Sequence, residues 1–268
     1  IYLLTLSPER VTTISGAVDT KFKPLRVTQD EETKVFKKYG ITRKFLLFTG
    51  SFDQRKNHER LICAFALLPE AIRKQYQLLI IGNGWDGIYA HFRQIAQQAG
   101  LSGDEIVFAG HVSDHDLLII YNTAALFVFP SLSEGFGLPV LEAMSCGIPT
   151  IGSNTTSIPE VIGLKEALFD PYSVDAIASA MFRVLTDDPF RAFLSTHALE
   201  HSKNFSWDAS AKKAIQAFER QHEWMRVVSG VSSAPQHERT IHILQETAKR
   251  YAHSQSDLIK IAASLEAN

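Results

Sequence analysis

Short, nearly continuous apolar runs recur along this chain, most of them stopped by Gly, Pro, Asn or Asp and followed by a stretch long enough for one helix. They are Val11–Ser15, Phe45–Thr49, Gln77–Gly82, Ile106–Ala109, Ala125–Phe129, Thr150–Gly152 and Ala167–Phe169. Strands that expose one face to water alternate apolar and polar residues; runs this uniformly apolar suit strands buried on both faces. Strands alternating with helices predict a parallel α/β sheet, and the doubly wound, Rossmann-like fold is its natural form. His58–Leu68 repeats Leu61, Ile62, Phe65 and Leu68 at helical spacing, with Asn57 as the expected cap, and Asp114–Ala124 follows Ser113 in the same way. In such folds ligands sit beyond the carboxyl ends of the strands. Gly50, Gly82, Gly110 and Pro130 all fall there.

From about residue 172 the pattern becomes helical, over Val174–Leu185, Pro189–His201 and Trp207–Val227. Pro189 suits a first helical turn, where its missing N–H is no loss. Ser229–Pro235 is small and polar and reads as a linker, and 237–266 again look helical and amphipathic. The expected organisation is a remnant or linker over 1–10, an α/β domain with closing helices over 11–228, a linker over 229–236 and a helical tail over 237–268.

Hydrophobic residues make up 45% and charged residues 21% of the chain, the balance of a soluble globular protein. A net charge of −2 offers no attraction to nucleic acid or an anionic membrane. Cys63 and Cys146 are too few for a disulfide framework and lie in apolar helical contexts, so they read as buried free thiols in a reducing, cytoplasmic setting. No apolar run approaches the roughly 20 residues a membrane span needs, and no signal peptide is visible. The chain starts at Ile1 rather than Met, which is expected of an excerpt from something longer.

Two loops carry the chemistry. Gly50-Ser-Phe-Asp-Gln-Arg55-Lys56-Asn57 follows a strand, and its forked guanidinium and point-charge ammonium suit phosphate oxygens. Pro130-Ser-Leu-Ser-Glu134-Gly-Phe-Gly137 leads from a strand into a short helix, about Leu138–Cys146, opened by Pro139 and closed by Gly147. The free N–H groups of a helix start attract phosphate. Glu134 and Glu142, with seven residues between them, would repel phosphate and make sense facing hydroxyls instead. Glu142 is flanked by Val, Leu, Ala and Met, so it is not on a solvated face and needs a partner. Phosphate flanked by hydroxyls describes a sugar nucleotide.

In this order along the chain, Gly-Ala-Val-Asp at 16–19, Arg55-Lys56-Asn57, Ile-Ile-Gly-Asn-Gly at 80–84 and Phe-Ala-Gly-His-Val-Ser-Asp at 108–114 precede the Glu134–Glu142 stretch. Ile-Pro-Glu at 158–160, Leu-Phe-Asp-Pro at 168–171 and Phe-Ser-Trp at 205–207 follow it. The set closely resembles retaining glycosyltransferase family 4, a GT-B group with many transferases of cell-surface polysaccharides, across about residues 11–225. The resemblance implies the C-terminal, donor-binding half of a GT-B fold. Arg55 and Lys56 would neutralise the donor diphosphate with no obligatory metal or other cofactor. The amides of Phe136, Gly137 and Leu138 would meet phosphate and sugar oxygens. Glu134 would bind sugar hydroxyls and Glu142 the ribose, with the base near Val112 and the loop after Gly82, and Gly50 is a further expected donor-binding residue. Glu134, Arg55 and Lys56 are the expected catalytic residues.

The Gly50 loop resembles that of bacterial O-antigen mannosyltransferases, which favours GDP-mannose over a UDP-hexose. Many relatives have Arg directly after the first-loop glycine where this chain has Ser51, and His111 has no assigned role. The acceptor, a glycan or lipid-linked chain, would be held by a preceding domain, without which the excerpt would transfer poorly. The resemblance also allows peripheral association with the inner membrane face. A nucleotide-sugar epimerase-like protein and a non-catalytic nucleotide-sugar-binding module remain as alternatives.

Overall fold

The computed structural model describes residues 11–229, which excludes the expected 1–10 remnant and, beyond Ser229, the linker and helical tail. The chain divides into two compact units, Ile14–Ala211 and a second made of Ile1–Thr13 with Lys212–Asn268. In the second, the described residues are 11–13 and the later part of a helix, α10 (Trp207–Ser229), where Arg220 donates to the Thr12 hydroxyl at 3.1 Å.

The first unit is the α/β body. Its parallel sheet is built, among the described residues, from β1 (Lys44–Thr49), β2 (Tyr76–Ile81), β3 (Ile106–Gly110), β4 (Leu126–Phe129), β5 (Thr150–Ser153) and β6 (Leu168–Phe169), in the spatial order β3-β2-β1-β4-β5-β6. β1 pairs with β2 in continuous register from Lys44↔Tyr76 to Thr49↔Ile81, and with β4 at Leu46↔Leu126 and Leu47↔Phe127. Every residue of β2, β4 and β5 is buried, as expected when helices cover both faces. Only partial burial along most of β3 fits its place at the sheet edge.

Around the sheet run α1 (Gln29–Tyr39), α2 (His58–Ala66), α3 (Glu70–Arg73), α4 (Asp86–Gln98), α5 (Asp114–Thr123), α6 (Leu138–Ser145), α7 (Ile158–Ile162), α8 (Val174–Thr186) and α9 (Asp188–Ser202). α2 packs with α4 and α8, α6 with α7 and α9, and α1 with α5. Local chemistry sets their ends. Thr28 and Glu31 form a reciprocal capping box on α1, and Gly40 closes it at φ +72°. Ser113 caps α5 through the Asp116 amide, and Asp187 caps α9 through the Phe190 amide.

Three expectations are corrected. Val11–Ser15 is not a strand: the segment is irregular, Ile14 is 49% exposed, and the Ser15 carbonyl accepts from the Ser210 hydroxyl at 2.6 Å rather than from a sheet ladder. Its β-branched residues read as a strand, but among the described residues no strand pairs with it. Asn57 occupies the cap position of α2 without capping it. It adopts the left-handed conformation, φ +62° and ψ +36°, and its side-chain amide donates to the carbonyls of Pro130 at 2.9 Å and Pro171 at 2.8 Å. It therefore ties the loop after β1 to those after β4 and β6. Of the two thiols, Cys146 is buried but Cys63 is only partly so; both are free.

His58 opens α2 at 2% exposure among the rings of Phe48, Phe52 and Phe92, and its Nε2 has no hydrogen-bond partner. Burial lowers its pKa to about 4, with Asp53 opposing and Lys56 assisting. An unfolded chain takes up this proton near 6.5, the folded one not until about 4. Stability from this group is complete above the upper value and is lost as pH falls toward the lower. At roughly 1.36 kcal/mol per pH unit the loss is about 3 kcal/mol. Urea unfolding of the wild type and His58→Phe at pH 7 and pH 4.5 checks this: the wild type should lose stability relative to the variant in acid. A difference that is constant with pH would refute it.

Candidate nucleotide-sugar site

The strand order makes β1 and β4 neighbours, with the chain leaving them toward opposite sides of the sheet. That is a topological switch point, where the loops diverge and leave a crevice. The loops after β1, β2 and β3 meet beside it. Gly50 N–H donates to the Ile81 carbonyl at 2.9 Å, and Gly82 N–H to the Gly110 carbonyl at 3.2 Å. A Cβ on Gly82 would collide with the Gly50 carbonyl oxygen, so the two turns approach backbone to backbone. The loop after β4 is stitched to the loop after β1: the Leu132 amide donates to the Arg55 carbonyl at 2.7 Å, and the Ser131 hydroxyl oxygen lies 3.0 Å from the same oxygen.

A cleft of about 360 Å³ opens on this edge, lined among others by Gly50, Gly82, Gly110, Val112, Tyr121 and Glu142. It gathers four of the sequence-expected site residues, Gly50, Gly82, Val112 and Glu142, from four different loops or helices. His111 also lines it. Glu142 stands on α6 with its Oε2 accepting from the Tyr121 hydroxyl at 2.8 Å. Burial raises the Glu142 pKa, while the Tyr121 hydrogen bond and Lys21 pull against that rise.

Lys56 and Glu134 are not among the residues lining this cleft; they face one another. Lys56 Nζ lies 2.6 Å from Glu134 Oε1, with side-chain exposures of 13% and 12%, and 5.2 Å from the centre of the Phe129 ring. The Ser131 hydroxyl donates to the same Glu134 oxygen at 2.6 Å. The sequence reading set the cation on phosphate and the carboxylate on hydroxyls; in this structure each is the other's partner. Arg55 lies on the short 3-10 turn Gln54–Lys56 and is 65% exposed, its guanidinium turned to Asp53 at 3.2 Å. It does not join Lys56.

Gly137, at φ +103°, turns the chain into α6, and a Cβ there would stand 2.7 Å from Ile158 Cδ1. The Ser157 hydroxyl donates to the Phe136 carbonyl at 2.9 Å and lies 3.2 Å from that of Glu134, and the Glu134 amide donates to Thr156 Oγ1 at 3.1 Å. Thr156 itself has φ +53°. This loop is therefore fixed from the turn before α7 as well as from the loop after β1. Phe136 rests against Gly16 and, edge-on at 5.7 Å, against Phe205, while Leu138 is 43% exposed. Among the described residues no group of three or more His, Cys, Asp or Glu is placed to hold a metal ion.

Sequence reasoning missed Tyr121, Lys21 and the Ser131–Thr156–Ser157 support. Lys21 pairs with Asp114 at 2.6 Å, and Phe22 meets Tyr121 edge-on at 5.8 Å, so the segment after Gly16 runs alongside the Glu142 end of the cleft.

The family model "Glycosyl transferases group 1" matches residues 31–201. The serotype-specific mannosyltransferase WbdA of Escherichia coli is 40% identical over 215 residues, which is 80% of this chain but 26% of that protein. The O-antigen chain mannosyltransferase B of Escherichia coli is 36% identical over 220 residues, 81% of this chain and 56% of that protein. The chain thus spans about a quarter of the one relative and about half of the other. The solved C-terminal domain of LpcC, a glycosyl transferase group 1 family protein from Francisella tularensis, shares the fold with a TM-score of 0.60 and 24% identity, over 70% of this chain and 97% of that one. Switch-point cleft, Gly-rich loop and glutamate-bearing helix fall inside the matched span, and the chain belongs to the glycosyl transferases group 1 family.

Proposed function

We propose that this chain binds a nucleotide diphosphate sugar, GDP-mannose in preference to a UDP-hexose, as the donor for retaining hexosyl transfer to a growing glycan. The observation that carries the reading is the cleft at the β1/β4 switch point, with the Glu142 carboxylate at one end and the Lys56–Glu134 pair held by the adjoining loops. The ribose lies against Glu142, and the base lies toward Val112 and the backbone turns at Gly50 and Gly82. The diphosphate lies between, toward Lys56, Arg55 and the amides of Phe136, Gly137 and Leu138.

Binding exchanges partners at the buried pair. The diphosphate takes Lys56, and Glu134 turns to the sugar hydroxyls. Arg55 leaves Asp53 for the phosphates, a small change for an exposed ion pair worth about 1 kcal/mol or less. Negative charge grows on the leaving diphosphate as the glycosidic bond breaks, and fixed cations with a helix start aimed there lower the barrier. The mannosyltransferase names of the relatives favour a mannose donor. Transfer itself needs an acceptor-binding domain facing this cleft, and the chain alone is expected to bind donor but transfer poorly.

Calorimetric titration of the 268-residue chain with GDP-mannose and UDP-glucose tests this. GDP-mannose should bind more tightly. The double variant Lys56→Ala/Glu142→Ala, checked for native circular dichroism, should weaken it at least roughly tenfold, as loss of charge-assisted contacts implies. Undiminished binding by the folded double variant would overturn the site.

A further inference from the structure

Tyr121 is fully buried in the last turn of α5, yet its hydroxyl reaches the cleft floor. It lies 2.8 Å from Glu142 Oε2 and 3.0 Å from Thr49 Oγ1, which ends β1. A carboxylate only accepts hydrogen bonds, so with Glu142 ionised the Tyr121 proton points to Glu142 and the Thr49 proton must point to Tyr121. The chain Thr49→Tyr121→Glu142 then has one direction. It crosses from the central strand, through α5, to α6. We propose that Tyr121, backed by Thr49, is the positioning residue that keeps Glu142 ionised and holds one of its oxygens free to accept from the hydroxyls of the bound donor. The inference rests on the donor reading above.

Glu142 stands among apolar neighbours, where a carboxylate without a donor would take up a proton. A proton on Oε2 of Glu142 would reverse the chain, and one on Oε1 would present a donor where the ribose diol is to donate. The other charged and titratable groups near it leave Tyr121 as the hydrogen-bonding influence. Lys21, on the segment after Gly16, favours the charged form, but it is itself engaged by Asp114 of α5, which disfavours it. Cys146, which follows α6, is held protonated, burial pushing its thiol up to about 12. His111, after β3, lines the same cleft and is exposed. The Tyr121 ring is fixed by Phe22 at 5.8 Å and Phe127 at 5.9 Å, so its hydroxyl cannot swing away.

Tyr121→Phe keeps the ring and deletes the hydroxyl; Thr49→Val keeps the shape of Thr49 and deletes its donor. Carbon-13 NMR of glutamate-labelled chain, with Glu142 assigned by its loss in Glu142→Gln, reads the Glu142 titration with no ligand present. Its proton affinity should rise roughly tenfold in Tyr121→Phe and less in Thr49→Val, as expected for loss of a hydrogen bond to a charged group. GDP-mannose titrated into the same proteins from pH 5 to 8 should bind about tenfold more weakly to Tyr121→Phe at the acid end, with the gap closing as pH rises. An unchanged Glu142 titration in folded Tyr121→Phe overturns the inference whatever the ligand does. Normal NMR behaviour of the series with GDP-mannose binding unaffected by Glu142→Gln overturns the donor reading instead.

Discussion

Gly82→Ala should destabilise the α/β body by on the order of 3–5 kcal/mol, more than its single methyl would suggest. The Cβ would meet the carbonyl oxygen of Gly50, and the Phe52 ring stands 3.3 Å away on the same side. A flexible side chain could swing aside; a backbone carbonyl cannot. Gly50 is held by its own amide on the Ile81 carbonyl, and Gly82 by its amide on Gly110. Relief therefore requires the ends of three strands to move together, taking the cleft floor with them. Urea unfolding followed by circular dichroism should show a lower midpoint with an unchanged slope. Gly103→Ala, with open space around the new carbon and no unusual φ, should be neutral in the same assay. A Gly82→Ala protein within about 1 kcal/mol of wild type would show that the loops are not locked as described.

Lys56→Met should have a comparable effect for an electrostatic reason. The Lys56–Glu134 pair is only 12–13% exposed, so removing the ammonium strands a carboxylate with little access to water. Breaking a buried pair from one side costs about 3–5 kcal/mol, whereas replacing both members by neutral groups of similar shape is often close to neutral. Adding Glu134→Gln to Lys56→Met should therefore recover most of the loss, since Ser131 can still donate to the amide oxygen. A double-mutant cycle in urea measures the coupling. Additive losses would mean that the pair is solvated and contributes little. The same cycle separates folding from function, because the double variant should be stable yet lack the cation proposed to meet the donor diphosphate.

The sheet was readable because its strands are apolar on both faces and end on turn residues, so position and type survive without knowledge of tertiary contacts. β1 to β6 all lie at expected runs, and the Gly50, Gly82 and Glu134 loops fall at strand ends as the fold requires. Val11–Ser15 failed because β-branched residues report compatibility with a sheet, not the presence of a neighbouring strand. Asn57 failed for a related reason: the same side-chain amide that caps a helix can instead bind carbonyls 73 and 114 residues away, and local sequence does not reveal which. Lys56–Glu134 is hidden by a separation of 78 residues. Tyr121 was concealed differently. In Leu-Leu-Ile-Ile-Tyr it looks like one more core residue, yet a buried tyrosine needs a partner for its hydroxyl and Glu142 needed a donor. Matching those two unmet needs would have found the pair.

The placement of β4 beside β1 has a kinetic consequence. Nothing between residues 50 and 125 can complete the crevice, because its second wall is a loop that the chain reaches only after building β2 and β3 outward and returning across the sheet. The contacts joining the two walls, Leu132 to Arg55, Asn57 to Pro130 and Lys56 to Glu134, are all long-range, and closing such loops carries an entropy penalty before any contact rewards it. The β1-β2-β3 half can pair locally while the central seam forms late. Ligand affinity should therefore emerge as one of the last properties in refolding, after most of the helical signal has returned.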